Sequence, residues 1–372
     1  MKYFYLFFLI IGAFPVLYAQ HFHAGNEALT YPDIEGYITL KTDFHQHTVF
    51  SDGEVWPSIR VSEALRENLD AISLTEHIEY QPHKKDIPHP DRNRAYEIAL
   101  KEAEDHDLLI VSGSEITRKV PIGHSNAIFV TDSNKLLTNP SEAVFAEAKK
   151  QGAFIFWNHP YYKRQDGIPV WSDFQKERIQ KGELHGIEVI NSNNYSEESL
   201  ALALEHNLTI MGTSDIHGLI DWDYTEEGNH RPITLVFAKE KTLESLKEAL
   251  FEKRTVAVFN SLLVGRDEFL KPLLKESVLI NEATYIDKGS ILKIELENVS
   301  SSDLIWENET PYTFHNMPSV FEIKAGKSTT LLIKTIERLK KFDLKLKALR
   351  AFSAPKQQPV IEWNISTNIN DI

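Results

Sequence analysis

The sequence predicts an α/β protein: a closed or nearly closed barrel of seven strand–helix repeats, followed by a small C-terminal β-sandwich. Three observations predict it. Between Thr39 and Asn260, short β-branched runs alternate with amphipathic stretches, the pattern of parallel βαβ units. The runs are apolar at consecutive positions, as strands covered on both faces must be. Beyond about Gly265 the period drops to two, as in Ile-Leu-Lys-Ile-Glu-Leu-Glu from Ile291, which marks half-buried antiparallel strands.

The seven strand-like runs are Thr39–Phe44, Asp70–Leu74, Leu108–Ser112, Ala153–Trp157, Gly186–Ile190, Leu208–Met211 and Ile233–Phe237. Helical patterns lie between them at Ile59–Asn68, Arg92–Asp105, Glu142–Gln151, Phe174–Lys181, Glu197–His206 and Leu243–Lys253. Pro57 and Pro140 stand at helix starts, where a missing N–H does no harm. Ser125–Val130 reads as an extra hairpin strand interrupting the alternation. The expected divisions are a barrel over residues 35–265 and a β-sandwich over 275–372, the latter packing on the barrel and stabilising it.

Residues 1–19 are set apart. Lys2, an apolar run from Tyr3 to Phe14, Pro15 and a small residue at Ala19 have the form of a secretory signal peptide cut after Ala19; the alternative is an uncleaved anchor. The expected location is therefore periplasmic or extracellular, with no membrane attachment after cleavage. The absence of cysteine excludes disulfides, thiolate metal sites and a cysteine nucleophile. A net charge of −14 opposes nucleic-acid binding, which needs a basic face.

Fifteen histidines are distributed unevenly, and several stand where predicted strands end. The first strand runs into Asp43-Phe44-His45-Gln46-His47, with Ser51-Asp52-Gly53 just after. The second ends Thr75-Glu76-His77, and the third Gly113-Ser114-Glu115 with Gly123-His124 following. The fourth ends Asn158-His159-Pro160, and the sixth Ser214-Asp215-Ile216-His217. In a parallel barrel the C-terminal strand ends open on one face, where such barrels carry their active sites. Side chains at i and i+2 of a strand share a face, so His45/His47 and Asp215/His217 present pairs of ligands. Any one histidine beside an apolar run is ordinarily a core or loop residue. His21-Phe22-His23 has the same spacing without a strand before it and is discounted. Clustering so many ionisable groups without cations would be costly, and bound metal ions remove that cost.

These motifs, in this order over roughly Thr39 to Asn260, resemble those of the polymerase and histidinol phosphatase (PHP) family, and with the leader and the β domain they resemble its exported phosphodiesterases. The resemblance implies a distorted seven-stranded β/α barrel with two to three divalent ions. His45, His47, Glu115 and Asp215 would hold the first ion. Glu115 would bridge to a second, also bound by His124 and His159. Asp52, His77 and His217 would hold the third; some family members have His where Asp52 stands.

Imidazole and carboxylate without thiolate suit zinc, manganese or iron. The expected reaction is in-line attack on phosphorus by a hydroxide bridging the first two ions, with no side-chain nucleophile. The expected partner is a small phosphodiester. A histidinol-phosphatase-like phosphomonoesterase is the alternative on the same scaffold. An amidohydrolase-like hydrolase and a non-catalytic binding protein fit less well, since Thr-Glu-His77, Glu115 and the Ser-Asp52-Gly turn oppose the first and no ligand is missing for the second. Arg118, Lys163, Arg164 and Arg231 are candidate phosphate contacts in the loops after the strands. Glu76 reads as structural or as a residue orienting a ligand, and His83 and His89 could belong to a lid. His106, His185, His206 and His315 receive no role, and the oligomeric state is not legible.

Overall fold

Strands that are apolar at every position can only be placed where both faces are covered, and this is what the computed structural model shows for residues 28–162, 168–224 and 229–368. The leader, the His21-Phe22-His23 triplet, Lys163 and Arg164 lie outside the described residues. The N-terminal region comprises β1 (Ile38–Gln46), α1 (Pro57–Arg66), β2 (Ala71–Leu74), α2 (Arg94–Glu102), β3 (Leu109–Val111), β4 (Gly113–Thr117) and β5 (His124–Ile128). It continues with α3 (Ser141–Lys150), β6 (Phe154–Trp157), α4 (Asp173–Gln180), β7 (Gly186–Asn191), β8 (Asn194–Tyr195), α5 (Glu197–Glu205) and β9 (Thr209–Thr213). After α6 (Ile220–Asp223) come β10 (Ile233–Ala238), α7 (Leu243–Phe251), β11 (Thr255–Phe259) and β12 (Leu262–Gly265). Every residue of β2, β6, β7, β9 and β10 is buried.

The strand ladders do not run unbroken round a circle. One sheet orders β12-β11-β10-β1-β2-β3, and a second orders β4-β5-β6-β7-β8 with β9 also on β7. Isolated bridges, Gln46 to Ile216 and His77 to Glu115, stitch the two together beside the site. Where β9 meets β10 and β11, threonines replace a ladder. The Thr234 hydroxyl accepts from Gly212 N at 2.9 Å and donates to Gly212 O at 2.8 Å, while Thr255 donates to Ile210 O. Gly212 permits this approach, since a Cβ there would lie 2.7 Å from Ile233 O.

Three expectations are corrected. β10 pairs antiparallel with β1, and β11 and β12 continue an antiparallel meander that the sequence reading did not contain. The supposed interruption, seen as β5, is an integral strand between β4 and β6. The third predicted strand bends at Ser112 and continues as β4, which carries Glu115 into the second sheet.

A connecting helix, α8 (Asp267–Glu276), leads into two four-stranded sheets. The strands are β13 (Val278–Tyr285), β14 (Ile291–Asn298), β15 (Leu304–Asn308), β16 (Thr313–Phe314), β17 (Val320–Ile323), β18 (Ser328–Lys334), β19 (Lys341–Ala348), β20 (Ala351–Phe352) and β21 (Val360–Ser366). Their orders are β13-β14-β18-β16 and β17-β15-β19-β21. β14 alternates buried and half-buried residues throughout, as its sequence requires. The core runs across the boundary: Leu270, Leu273 and Leu274 of α8 share one apolar cluster with Leu235 and Val256 of the barrel and Ile294 and Trp306 of the sandwich. β20 leaves the sandwich and pairs in parallel with β12, Leu263 opposite Ala351.

Candidate metal centre

The fold delivers all nine predicted ligands to one place. Four groups of donor atoms lie close enough to share a cation: His45, His47 and Glu115; His45, His159 and Asp215; His77, Glu115 and His124; and His47, Asp52, His77 and His217. The side chains of His45, His47 and Glu115 are fully buried.

The proton positions on the first two histidines follow from their partners. His45 Nδ1 lies 2.7 Å from Glu188 Oε1; a carboxylate only accepts, so Nδ1 carries the proton. Ser51 Oγ donates to Glu76, so toward His47 Nδ1, 3.2 Å away, it must accept. In the neutral rings both Nε2 atoms are therefore the bare nitrogens, and they face each other at 3.1 Å. Each also lies within 3.1–3.5 Å of Glu115 Oε2 and Asp215 Oδ1. Four such lone-pair donors repel one another unless positive charge sits between them, as a proton or as a metal ion.

Around this pair, His77 Nδ1 lies 3.0 Å from Glu115 Oε2 and its Nε2 3.3 Å from Asp52 Oδ2. His217 Nδ1 points at the Asp215 carbonyl at 2.8 Å, leaving Nε2 toward Asp52 Oδ1 at 3.3 Å. His124 Nδ1 faces Glu115 Oε1 at 2.6 Å. The grouping departs from the expected one: His159 groups with His45 and Asp215 instead of with Glu115 and His124, and Asp215 falls in a different group from His47 and Glu115. His77 joins Glu115 and His124 as well as Asp52 and His217, and His47 joins that last group too.

Electrostatics reflect the crowding. Burial pushes the Glu115 carboxyl up, but the His77 charge together with contacts from His124, His45 and His47 outweighs it and holds Glu115 well below the usual range. Burial likewise raises Asp215, and the charges and contacts of His45, His47 and His159 together override it downward. Burial pushes His77 down, yet Glu115 and Asp52 carry it up to about 10, and Asp215 and Glu188 raise His45 in the same way. His159, deeply buried, is lowered. Anionic carboxylates thus seek positive charge that, without ions, only protonated imidazoles can supply.

The donor set fits divalent cations. Both oxygens of Glu115, Oδ1 of Asp52 and Nδ1 of His124 and His159 are buried without a hydrogen-bond partner, an arrangement costly in a protein interior unless an ion completes it. Two of the residues also sit in left-handed backbone conformation, Asp215 at φ 54° and His159 at φ 24°. Such strain in non-glycine residues is held by the surrounding structure and clusters at functional sites.

Other expectations fare differently. Arg118 borders the site, but its guanidinium is bound to Glu79, Ser141 Oγ and the Thr138 carbonyl. Arg231 is corrected: its side chain is fully buried, paired with Asp43 at 3.2 Å and Glu67 at 2.8 Å, so it cannot be an exposed phosphate contact. Glu76 accepts from Thr48 and Ser51 and so orients His47 at one remove. His89 packs on Phe50, ring centroids 4.3 Å apart, and neither it nor His83 joins the metal groups. His230 is a buried brace, accepting from Asn260 N.

The sequence reading missed Glu188. Its carboxylate accepts from His45 Nδ1, Thr213 Oγ1 (2.6 Å), His159 N (2.6 Å) and Asn191 Nδ2 (2.9 Å). The signal was available: Glu188 is a lone charge within the apolar run Gly186–Ile190, at a position the strand buries completely.

A bent α/β barrel with histidines and carboxylates gathered at its strand ends, fused to a β-sandwich, defines a metallohydrolase architecture with known counterparts. A two-domain protein of Bacteroides vulgatus, described as containing a predicted PHP-like metal-dependent phosphoesterase, is 41% identical, with 92% of this chain and 98% of that one covered at a TM-score of 0.84. This chain belongs to the same family of two-domain PHP-like proteins. Residues 278–364 match a family model described as an Ig-like domain. An uncharacterized protein of Methanocaldococcus jannaschii is 34% identical over 82 residues, 22% of this chain and only 36% of that relative's length. PsfC of Pseudomonas syringae aligns with 64% of this chain and 96% of its own at 17% identity and a TM-score of 0.42.

Proposed function

We propose that the protein is an exported phosphoesterase dependent on two to three divalent metal ions, zinc, manganese or iron, and that it hydrolyses phosphodiesters of small organic substrates. The observation that carries this reading is the pair of bare Nε2 atoms of His45 and His47, 3.1 Å apart and in reach of Glu115 and Asp215. His45, His47, Glu115 and Asp215 would hold one ion, with His159 beside His45 and Asp215; Glu115 and His124, joined by His77, a second; and Asp52, His77 and His217 a third. When bound, such ions supply Lewis acidity toward phosphoryl oxygens and nucleophilic water near neutral pH. The residues' own work is orientation: Glu188 and Ser51 fix the tautomers of His45 and His47, and the Asp215 carbonyl fixes that of His217.

Charge favours the diester. A diester monoanion carries a single negative charge, which the ions themselves can meet without help from the loops. A monoester dianion needs more, and of the described loop arginines Arg118 is committed to Glu79 and Arg231 is buried. The leader supports an exported location.

The test is turnover of bis-aryl against mono-aryl phosphate by metal-loaded protein, with metal content measured. The diester should be preferred, and His45→Ala and Asp215→Ala should each abolish turnover and lower bound metal. Full activity in either variant would refute the assignment.

A further inference from the structure

A cavity of about 440 Å³ opens directly beside the cluster, with His124 and His159 forming part of its wall. The remaining wall is largely apolar, from Val120 and Pro121 on one side and Trp157, Tyr162 and Val170 on the other. Tyr162 joins cavity to cluster: its ring centroid lies 5.0 Å from that of His159 and 5.8 Å from that of His124. Gly123 shapes the floor. At φ +75°, it lets the loop lie against Trp157, whose Nε1 would be 3.0 Å from any Cβ.

The charge of this wall is as telling as its shape. Among the described residues no Asp or Glu lines it, whereas Lys119 does, and Arg118 beside it is already paired with Glu79. A substrate ammonium would meet Lys119 and no carboxylate among the described lining residues. An uncharged apolar group would be desolvated against aromatic and aliphatic surface, in a volume typical of small-molecule pockets.

We propose that this cavity receives the organic group of the ester, and that the preferred substrates carry an aryl or comparably bulky apolar substituent on phosphorus, not an aminoalkyl one. The proposal rests on the phosphoesterase reading: a phosphoryl group held at His124 and His159 would have this cavity directly beside it, since both residues form part of its wall. It names the chemistry of the alcohol, on which the ligand set itself is silent.

Non-hydrolysable phosphonates separate the two claims. Binding of methyl-, phenyl- and 2-aminoethylphosphonate to metal-loaded protein is measured by calorimetry. Phenylphosphonate should bind at least about tenfold more tightly than methylphosphonate, the gain expected from burying a ring in place of a methyl. Aminoethylphosphonate should bind no more tightly than methylphosphonate. Val120→Asp, at a position 61% exposed and so tolerant of charge, and Tyr162→Ala should each reduce the phenyl-to-methyl ratio below about threefold. Equal affinity for phenyl and methyl in the unaltered protein, a preference for aminoethyl, or an unchanged ratio in both variants overturns the cavity assignment while leaving a phosphoesterase. Failure of all three phosphonates to bind, together with inertness toward every phosphate ester, overturns the functional reading and this inference with it.

Discussion

Replacing Glu188 with Gln should cost the centre its metal affinity before it costs the protein its fold. Each carboxylate oxygen accepts two hydrogen bonds, Oε1 from His45 Nδ1 and Thr213, Oε2 from His159 N and Asn191. An amide of the same shape keeps one oxygen and turns the other into a donor. Were the NH2 placed at Oε2, it would oppose the His159 backbone N–H, which cannot reverse its role. Placed at Oε1, it meets Thr213, whose hydroxyl can turn to accept, and His45, which can shift its proton to Nε2. The second solution is cheaper, but it protonates the nitrogen that faces His47 and the proposed ion. A charge-assisted hydrogen bond contributes about 1.5–3 kcal/mol, so the tautomer balance should move by roughly ten- to a hundredfold, the usual range for removing a residue that orients a metal ligand. Chelator competition should show that loss in the tightest site, while thermal unfolding of the metal-free protein shifts by only a few degrees. Metal affinity within twofold of the unaltered protein would show that Glu188 does not set the His45 tautomer.

Three further outcomes test other parts of the structure. Arg231→Met strands Asp43 and Glu67 in the interior and should lower stability by about 3–5 kcal/mol in urea unfolding; unchanged stability with weakened substrate binding would restore Arg231 as a phosphate contact. Gly212→Ala drives a methyl against Ile233 O and Ala257 and should cost about 1–3 kcal/mol, read as a lower melting temperature, if the threonine-linked seam is as close as described. His185 is held down to about 4 by burial, its Nδ1 accepting from Ile155 N. The unfolded chain therefore binds a proton that the folded one refuses, so stability falls as pH drops from about 6.5 toward 4, by about 3 kcal/mol at the lower end. His185→Asn, which keeps an acceptor, should flatten the denaturation profile across that window, and a profile of unaltered slope would assign the loss to other groups.

The ligands were legible because the chemistry repeats at equivalent places: a histidine or carboxylate just past an apolar run is visible at His45, His77, Glu115, His159 and Asp215 without knowing how the strands pair. Pairing itself was not legible. β10 and β11 are buried on both faces, and a strand without alternation reads the same whether its neighbour runs parallel or antiparallel. Arg231 illustrates the converse difficulty. A basic residue in a loop after a strand looks like an anion contact, and only its two buried acid partners, Asp43 and Glu67, far away in sequence, reveal a brace. Glu188 stands inside its strand, one layer below the strand ends that mark the ligands, so its spacing carries no ligand signal. The sharing of ligands depends on ring rotations that no spacing rule encodes, hence the different grouping of His159 and His77.

The short parallel pairing of Leu263 and Val264 with Ala351 and Phe352 has a consequence for how this molecule can be made and rearranged. The last edge of the catalytic sheet stays raw until the ribosome has delivered some ninety further residues, so the nascent enzyme must wait for its companion module before that hydrogen-bonding rim is sealed. A truncated version ending after α8 should emerge with an adhesive border and a halved apolar core, inclined to pair with its neighbours. Shuffling this catalytic unit onto other appendages would therefore require a substitute cap, which ties the inheritance of the two halves together.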